Sequence, residues 1–457
     1  MNPAQRFEKR QATVGVIGLG YIGLPAALAF ARVGFPVLGF DIDPAKVRQL
    51  NAGSVYLSAV EASDLPALLQ NRRFAATDDF TRLGEADALL ICVPTPLTES
   101  KEPDLHYVTQ TAEAVAATLR RGQLVVLEST SYPGTTEEVV LPILERSGLR
   151  CACTGSAGLD VPTAGSGSGM AEPDFYLAFS PERLDPGNTH YRLEDIPKIV
   201  AGVNPPSTEC ARALYVQAIK QVVVVSSPRT AEMTKLLENI YRAVNIALVN
   251  ELKLLCQRMK IDIWEVIEAA ATKPFGFMPF QPGPGLGGHC IPIDPYYLSW
   301  KARQYDFTTR FIELAGEINT AMPYHVVTTI AEVLNARKKT VAGAEILLLG
   351  VAYKKDVDDL RESPALKIIE LLRGRGARVA YNDPYVPTLL PTRRHDFSDL
   401  RSVALEAARL KEFDCVVIVT DHSAYDWQEI VTHAQLVIDT RNATRGVTHS
   451  QEKIVRC

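Results

Sequence analysis

A lone cysteine, Cys290, stands in the stretch 275–300 (FGFMPFQPGPGLGGHCIPIDPYYLSW), just after Gly283, Gly285, Gly287 and Gly288. A thiolate is a strong nucleophile, so a thiol there could attack an electrophilic carbon if a nearby cation or dipole favoured its ionisation. Prolines at 279, 282, 284, 292 and 295 argue against a regular helix or central strand. The glycines let backbone N–H groups come close to a ligand. The expectation is an irregular loop that wraps a bound molecule and presents one thiol. Asp294, four residues on, could hold a water or tune that thiol. The same residues also suit a buried structural cysteine in a Pro/Gly turn.

A second constellation opens the chain. The run TVGVIGL reads as a buried strand and leads straight into Gly18-Leu19-Gly20-Tyr21-Ile22-Gly23. Helical character follows over 24–33, then a second strand, FPVLGF, that ends at Asp41. Gly18, Gly20 and Gly23 permit the tight turn, the approach of a pyrophosphate and close helix–strand packing. The pyrophosphate would sit on free N–H groups at the helix N-terminus. Asp41 would accept hydrogen bonds from the ribose hydroxyls, which favours NAD over its 2′-phosphorylated form.

The elements that must position these residues alternate along the chain. Buried strands ALLICV and LVVL end in Thr95 and Thr130, at the ends of strands where such sheets bind ligands. Each hydroxyl could equally cap the next helix. A further strand, FYLAF, leads to Glu182, Arg183 and Leu184, while 151–172 reads as a mobile surface loop. Apolar residues at spacings of three and four predict one long helix over 228–272, a spine or dimer core needing a partner. Lys235 and Asn239 share a face of it, which without context would be a solvated face. From residue 344 the strand–loop–helix order repeats, with Lys354, Lys355 and Arg361 in the first loop; cations there suit a phosphorylated ligand, or simply solvent.

Composition sets the class. At 457 residues, with 47% apolar and 22% charged residues, the chain has room for two or three domains with ample cores. The net charge of −5 carries no basic block, so nucleic-acid binding has no footprint. No apolar run or leader predicts a membrane partner, and eight scattered cysteines suit a reducing, cytoplasmic setting without a metal site.

The ordered set GLGYIGLP, CVPTP, EST, FSPERLDPGN, MTKLLEN, PGPGLGGHCIPIDPYYLSWKA and GVAYKKDVDDLRESPA resembles the UDP-glucose/GDP-mannose dehydrogenase family. The resemblance spans about residues 12–445 and implies an α/β fold of two Rossmann-like doubly wound domains joined by a helical centre with a long spine helix. The expected parts are an NAD domain at 1–227, a dimerising centre with the cysteine loop at 228–327, and a UDP-sugar domain at 328–457. It implies NAD as cofactor, a homodimer or dimer-based homo-oligomer, and four-electron oxidation of a sugar C6 alcohol to a carboxylate for surface-polysaccharide precursors.

Carried over by motif, Cys290 matches the nucleophile. Lys235 and Asn239 match oxyanion stabilisers, Asp294 and Thr130 position water, and Glu182 matches an acid–base carboxylate. Cofactor contacts are implied at Gly18, Gly20, Tyr21, Ile22, Gly23, Asp41, Lys46, Thr95, Thr130 and Arg361. Substrate contacts are implied at Glu182, Arg183, Leu184, Lys235, Asn239, Arg242, Asn245, Phe280, Gly283, Gly287, Tyr353 and Lys354. Pro186 and Asn245 replace a glutamate and an arginine usual in UDP-glucose enzymes. That departure resembles the branch acting on UDP-N-acetylhexosamines, and HCIPIDPYYLxWK favours UDP-N-acetylglucosamine within it. An NAD-dependent epimerase would need a Tyr-x-x-x-Lys pair instead, and a non-catalytic NAD-binding regulator would not need Cys290, Lys235 and Asp294 together.

Overall fold

Runs of four or five branched apolar residues, too short for helices and buried on both faces, become the central strands of parallel sheets. The computed structural model describes residues 3–57, 60–98, 100–151, 173–184, 191–288, 291–392 and 394–457. Two units result, Met1–Glu238 with Trp300–Tyr305 and Asn239–Ser299 with Asp306–Cys457. Cys290 lies outside the described residues, as does all of the expected mobile loop 151–172 except Cys151, which is buried.

The first unit holds β1 (Val14–Ile17), β2 (Val37–Phe40), β3 (Phe74–Thr77), β4 (Ala88–Ile91), β5 (Leu124–Leu127), β6 (Tyr176–Phe179), β7 (Lys198–Gly202) and β8 (Val222–Val224). Their spatial order is β3-β2-β1-β4-β5-β6-β7-β8, parallel except where β7 runs against β6. The order reverses between β1 and β4, so a crevice opens at the carboxyl ends of those strands. The second unit holds β9 (Glu345–Leu349), β10 (Arg378–Asn382), β11 (Cys415–Ile418), β12 (Val437–Asp439) and β13 (Ile454–Arg456). These are all parallel, in the order β10-β9-β11-β12-β13. The strands expected from sequence are all present to within two residues at each end, and β3, β7, β8 and β13 are additional to them.

Two expectations need correction. The helix predicted over 228–272 is two helices, Pro228–Met259 and Ile263–Ala271. Lys260 adopts φ +58°, which ends the first, and Asp262 caps the second by accepting from Trp264 N at 2.9 Å. The stretch 275–300 is not irregular throughout, because Asp294–Ala302 is helical. Pro295 sits in its first turn, where a missing N–H costs nothing. No helix among the described residues is long and apolar enough to cross a membrane.

Candidate active site

At the carboxyl ends of β1 and β2 the chain makes the turn that the glycines predict. Gly18 has φ +90°, and a Cβ on Gly23 would lie 1.8 Å from the Gly18 carbonyl oxygen. Neither position tolerates a side chain, whereas Gly20 faces open space, with nothing within 4 Å of where its Cβ would stand. Tyr21 and Ile22 lead from this turn into the helix Gly23–Arg32. Asp41 closes β2, and its Oδ2 accepts from Leu19 N at 3.0 Å while Oδ1 accepts from Asp43 N at 3.0 Å. Each oxygen keeps a lone pair, with Lys46 Nζ 3.8 Å away. Tyr56 donates to the Leu19 carbonyl and braces the turn. An open glycine ahead of a helix N-terminus, beside a held carboxylate, fits NAD: pyrophosphate at Gly20 and ribose hydroxyls on Asp41.

Thr95 is buried after β4 and Thr130 half-buried after β5. After β6, Glu182 turns back on its own chain, and its Oε1 accepts from Arg183 N at 2.7 Å and Leu184 N at 2.6 Å. Its other oxygen accepts from Lys198 Nζ at 3.0 Å. The same ammonium donates to Glu128 Oε2 at 2.8 Å, and Tyr215 donates to the other Glu128 oxygen. Burial opposes charge on Glu182, but Lys198 and the two amides outweigh it and hold its pKa below the usual glutamate range. Burial pushes Glu128 up despite Lys198. Glu182 is therefore a carboxylate at neutral pH and poorly placed to donate a proton. Arg183 donates to the Pro197 carbonyl at 2.8 Å and pairs with Glu238 at 2.6 Å. Lys235 is buried on the helix Pro228–Met259, one turn before Asn239.

In the second unit the cysteine-loop glycines meet the lysine-rich motif. A Cβ on Gly287 would lie 2.5 Å from Tyr353 Cβ, and Gly288 N donates to the Arg361 carbonyl at 2.9 Å. Asn250 pins the same loop by accepting from Gly283 N at 2.9 Å while donating to Asn319 at 2.9 Å. Asn239 donates to Asp294 Oδ2 at 2.6 Å, both groups buried. Phe280 packs edge-on against Tyr241. Arg242 is exposed, and Asn245 donates to the Tyr241 carbonyl at 2.7 Å. The Arg361 guanidinium is held by Asp359 at 2.7 Å, and Lys354, seven residues earlier, is half-buried.

Three groups escaped the sequence reading. Lys198 had a signal, a lysine inside an apolar strand, which requires a buried partner. Arg441 follows β12, donates to the Val419 carbonyl at 3.0 Å and has its guanidinium within 2.6 Å of where a Gly283 Cβ would stand; burial lowers its pKa. His422 follows β11 and is fully buried.

Models of one family match the chain in three successive parts. Residues 12–219 match the NAD binding domain of the UDP-glucose/GDP-mannose dehydrogenase family, 229–321 its central domain and 347–446 its UDP binding domain. A UDP-N-acetyl-D-mannosamine dehydrogenase of Pyrococcus horikoshii is 36% identical over 436 residues, covering 94% of this chain and 95% of that protein. A UDP-N-acetyl-D-glucosamine 6-dehydrogenase of Pseudomonas aeruginosa is also 36% identical, over 375 residues, 82% of this chain and 83% of that protein. The solved structure of the UDP-D-ManNAc dehydrogenase from Pyrococcus horikoshii aligns with a TM-score of 0.82 at 33% identity, covering 97% of this chain and 98% of that one. With the dinucleotide turn, the held Asp41 and the joined cysteine-loop and lysine-motif segments already in place, these matches make the chain a member of the UDP-glucose/GDP-mannose dehydrogenase family, an NAD-dependent nucleotide-sugar oxidoreductase.

Proposed function

We propose that the chain oxidises C6 of UDP-N-acetyl-D-glucosamine to the carboxylate, giving UDP-N-acetyl-D-glucosaminuronate for surface-polysaccharide synthesis. The observation that carries a UDP-sugar reading is the packing of Gly287 and Gly288 on Tyr353 and Arg361. It joins the segment that leads into Cys290 to a loop bearing Lys354, suited to phosphate. The choice of hexosamine rests on Pro186, Asn245 and the HCIPIDPYYLxWK pattern.

Bound NAD supplies the hydride acceptor in each of two turns. The C6 alcohol loses a hydride and a proton to become an aldehyde. The Cys290 thiolate adds to that carbon, giving a thiohemiacetal whose oxyanion Lys235 and Asn239 stabilise. Loss of the second hydride leaves a thioester, which water held by Thr130 and Asp294 cleaves to carboxylate and free thiol. Glu182, kept ionised, serves as a proton acceptor. Tyr353 and Lys354, with the loop at Phe280 and Gly283, bind the nucleotide. The chain works in the cytoplasm as a homodimer, built on the apolar residues that the helix Pro228–Met259 leaves exposed.

The test is NADH absorbance over a panel of UDP-GlcNAc, UDP-ManNAc, UDP-GalNAc, UDP-glucose and GDP-mannose. The expected result is the highest kcat/KM with UDP-GlcNAc and two NADH per sugar. Faster turnover of UDP-ManNAc would overturn the substrate assignment.

A further inference from the structure

The loop between β9 and the helix Pro364–Gly374 carries Tyr353, Lys354 and Arg361, and it is held in shape from one side by a single buried imidazole. His422 Nδ1 lies 2.9 Å from Asp356 N, and its Nε2 lies 3.0 Å from Asp383 Oδ2. An amide N–H can only donate, so Nδ1 is the acceptor and the ring proton is on Nε2, donated to Asp383. Asp383 itself is fixed: Oδ2 also accepts from Val351 N at 2.7 Å and Ala352 N at 3.0 Å, and Oδ1 from Tyr385 N at 2.9 Å and Val386 N at 3.1 Å. The imidazole therefore relays a rigid anchor just after β10 to the main chain of Asp356.

Asp356 needs such an anchor. Its φ is +59°, a conformation that a residue with a side chain rarely adopts unless held there. Ser423, next to His422, adds the second tether, with its N at 2.7 Å and its Oγ at 2.6 Å from the Asp356 carboxylate, and Tyr385 donates to the same group at 3.3 Å. The loop then closes on itself through Tyr353 N donating to the Asp359 carbonyl at 2.9 Å. In the first unit the equivalent strand-end carboxylate, Asp41, bonds one turn amide with Oδ2 and no imidazole. In the second the corresponding oxygen is closed off by His422, so the acid shapes a loop where Asp41 is left for a ribose.

We propose that His422 is a positioning residue of the UDP-sugar site: by accepting the Asp356 amide at Nδ1 it sets the conformation in which Tyr353 and Lys354 meet the nucleotide. This rests on the reading, given above, that the loop binds the UDP-sugar. The two hydrogen bonds of the imidazole can be separated. Glutamine places an amide nitrogen near the Nε2 position, keeping the bond to Asp383 and losing the acceptor for Asp356. Asparagine places an oxygen near the Nδ1 position and does the reverse.

The experiment is calorimetric titration of the full-length protein with UDP, beside kcat and KM for UDP-GlcNAc and a thermal melt of each variant. His422→Gln should weaken UDP binding and raise KM by about tenfold, the size of one lost buried hydrogen bond, with kcat changed less than about twofold. His422→Asn should bind UDP as the wild type does, even if it melts earlier. Wild-type affinity in His422→Gln, or an equal loss in both variants, overturns the proposal. Should His422→Gln not fold, His422→Asn alone decides it: that variant keeps the acceptor for the Asp356 amide, so a tenfold loss of UDP affinity in folded His422→Asn overturns the proposal. Lys354→Ala separates the two levels. If it binds UDP normally, or the wild type binds none, the loop is not the nucleotide site and the role of His422 falls with it.

Discussion

Lys198 Nζ lies 2.8 Å from Glu128 and 3.0 Å from Glu182, so one buried ammonium bridges two buried carboxylates. Burial disfavours its charge, but the two glutamates outweigh that and raise its pKa. Lys198→Met would leave two anions facing each other in a dry interior, a loss of about 3–5 kcal/mol. Because Lys198 holds Glu182 below its ordinary pKa, the stabilisation is present above the ordinary glutamate range and is lost as pH falls through the depressed value. Denaturant midpoints should therefore differ most at neutral pH and converge in acid. Equal midpoints at pH 7 would refute this.

Glu232 titrates in the opposite sense. Its carboxylate accepts from Gly134 N at 2.6 Å, Thr136 N at 2.9 Å and Thr136 Oγ1 at 2.7 Å, yet burial prevails and pushes its pKa up to about 7. Between the usual glutamate value and about 7 the folded chain holds a proton that the unfolded chain has released. Stability from this group is thus complete below the usual glutamate value and declines by about 3 kcal/mol as pH rises to 7. Glu232→Gln should flatten that slope, as seen in urea midpoints at several pH values between 5 and 8; an unchanged slope would remove Glu232 as its source.

Asp41 is expected to select the cofactor. Its carboxylate repels a 2′-phosphate, and Asp41→Ala should lower kcat/KM for NAD by about ten- to a hundredfold, the range for hydrogen bonds to a charged group, while the NADP rate rises or holds. Steady-state rates with both cofactors decide it, and an unaltered NAD preference would count against the assignment.

Cys290→Ser should cut NADH formation by orders of magnitude while leaving UDP binding intact, because a serine hydroxyl is a far poorer nucleophile at neutral pH. Cys92, Cys210 and Cys415 are natural controls: burial raises the pKa of each thiol, so Ser variants there should turn over normally if folded. Two NADH per sugar at a normal rate from Cys290→Ser would refute the covalent route.

Leu237, Leu248, Leu252, Leu255 and Met259 are all at least 39% exposed on the helix Pro228–Met259 and recur at spacings of three, four and eleven, which places them on one stripe. A second copy of the chain would cover that stripe. Leu248→Glu with Leu255→Glu should convert a dimer into monomers by sedimentation velocity, and a wild type already monomeric at micromolar concentration would dismiss the idea.

The sequence by itself determined whatever depends on neighbours in the chain. The turn Gly18–Gly23, the strand ends that place Asp41, Thr95, Thr130 and Glu182, and the repeated α/β order were readable because strand, turn and helix preferences act over a few residues. Only the tertiary structure decided how charge is balanced and where elements stop. Lys198 reaches Glu128 across 70 residues, Asp294 meets Asn239 across 55, and Asp383 meets His422 across 39. Lys260 breaks the spine because the chain must leave its axis there, a demand that helical periodicity does not encode. Pro295 begins a helix instead of preventing one, because the missing N–H falls where a first turn has no use for it. A buried ion is stable only with its partner, and no local pattern names a partner from a distant strand.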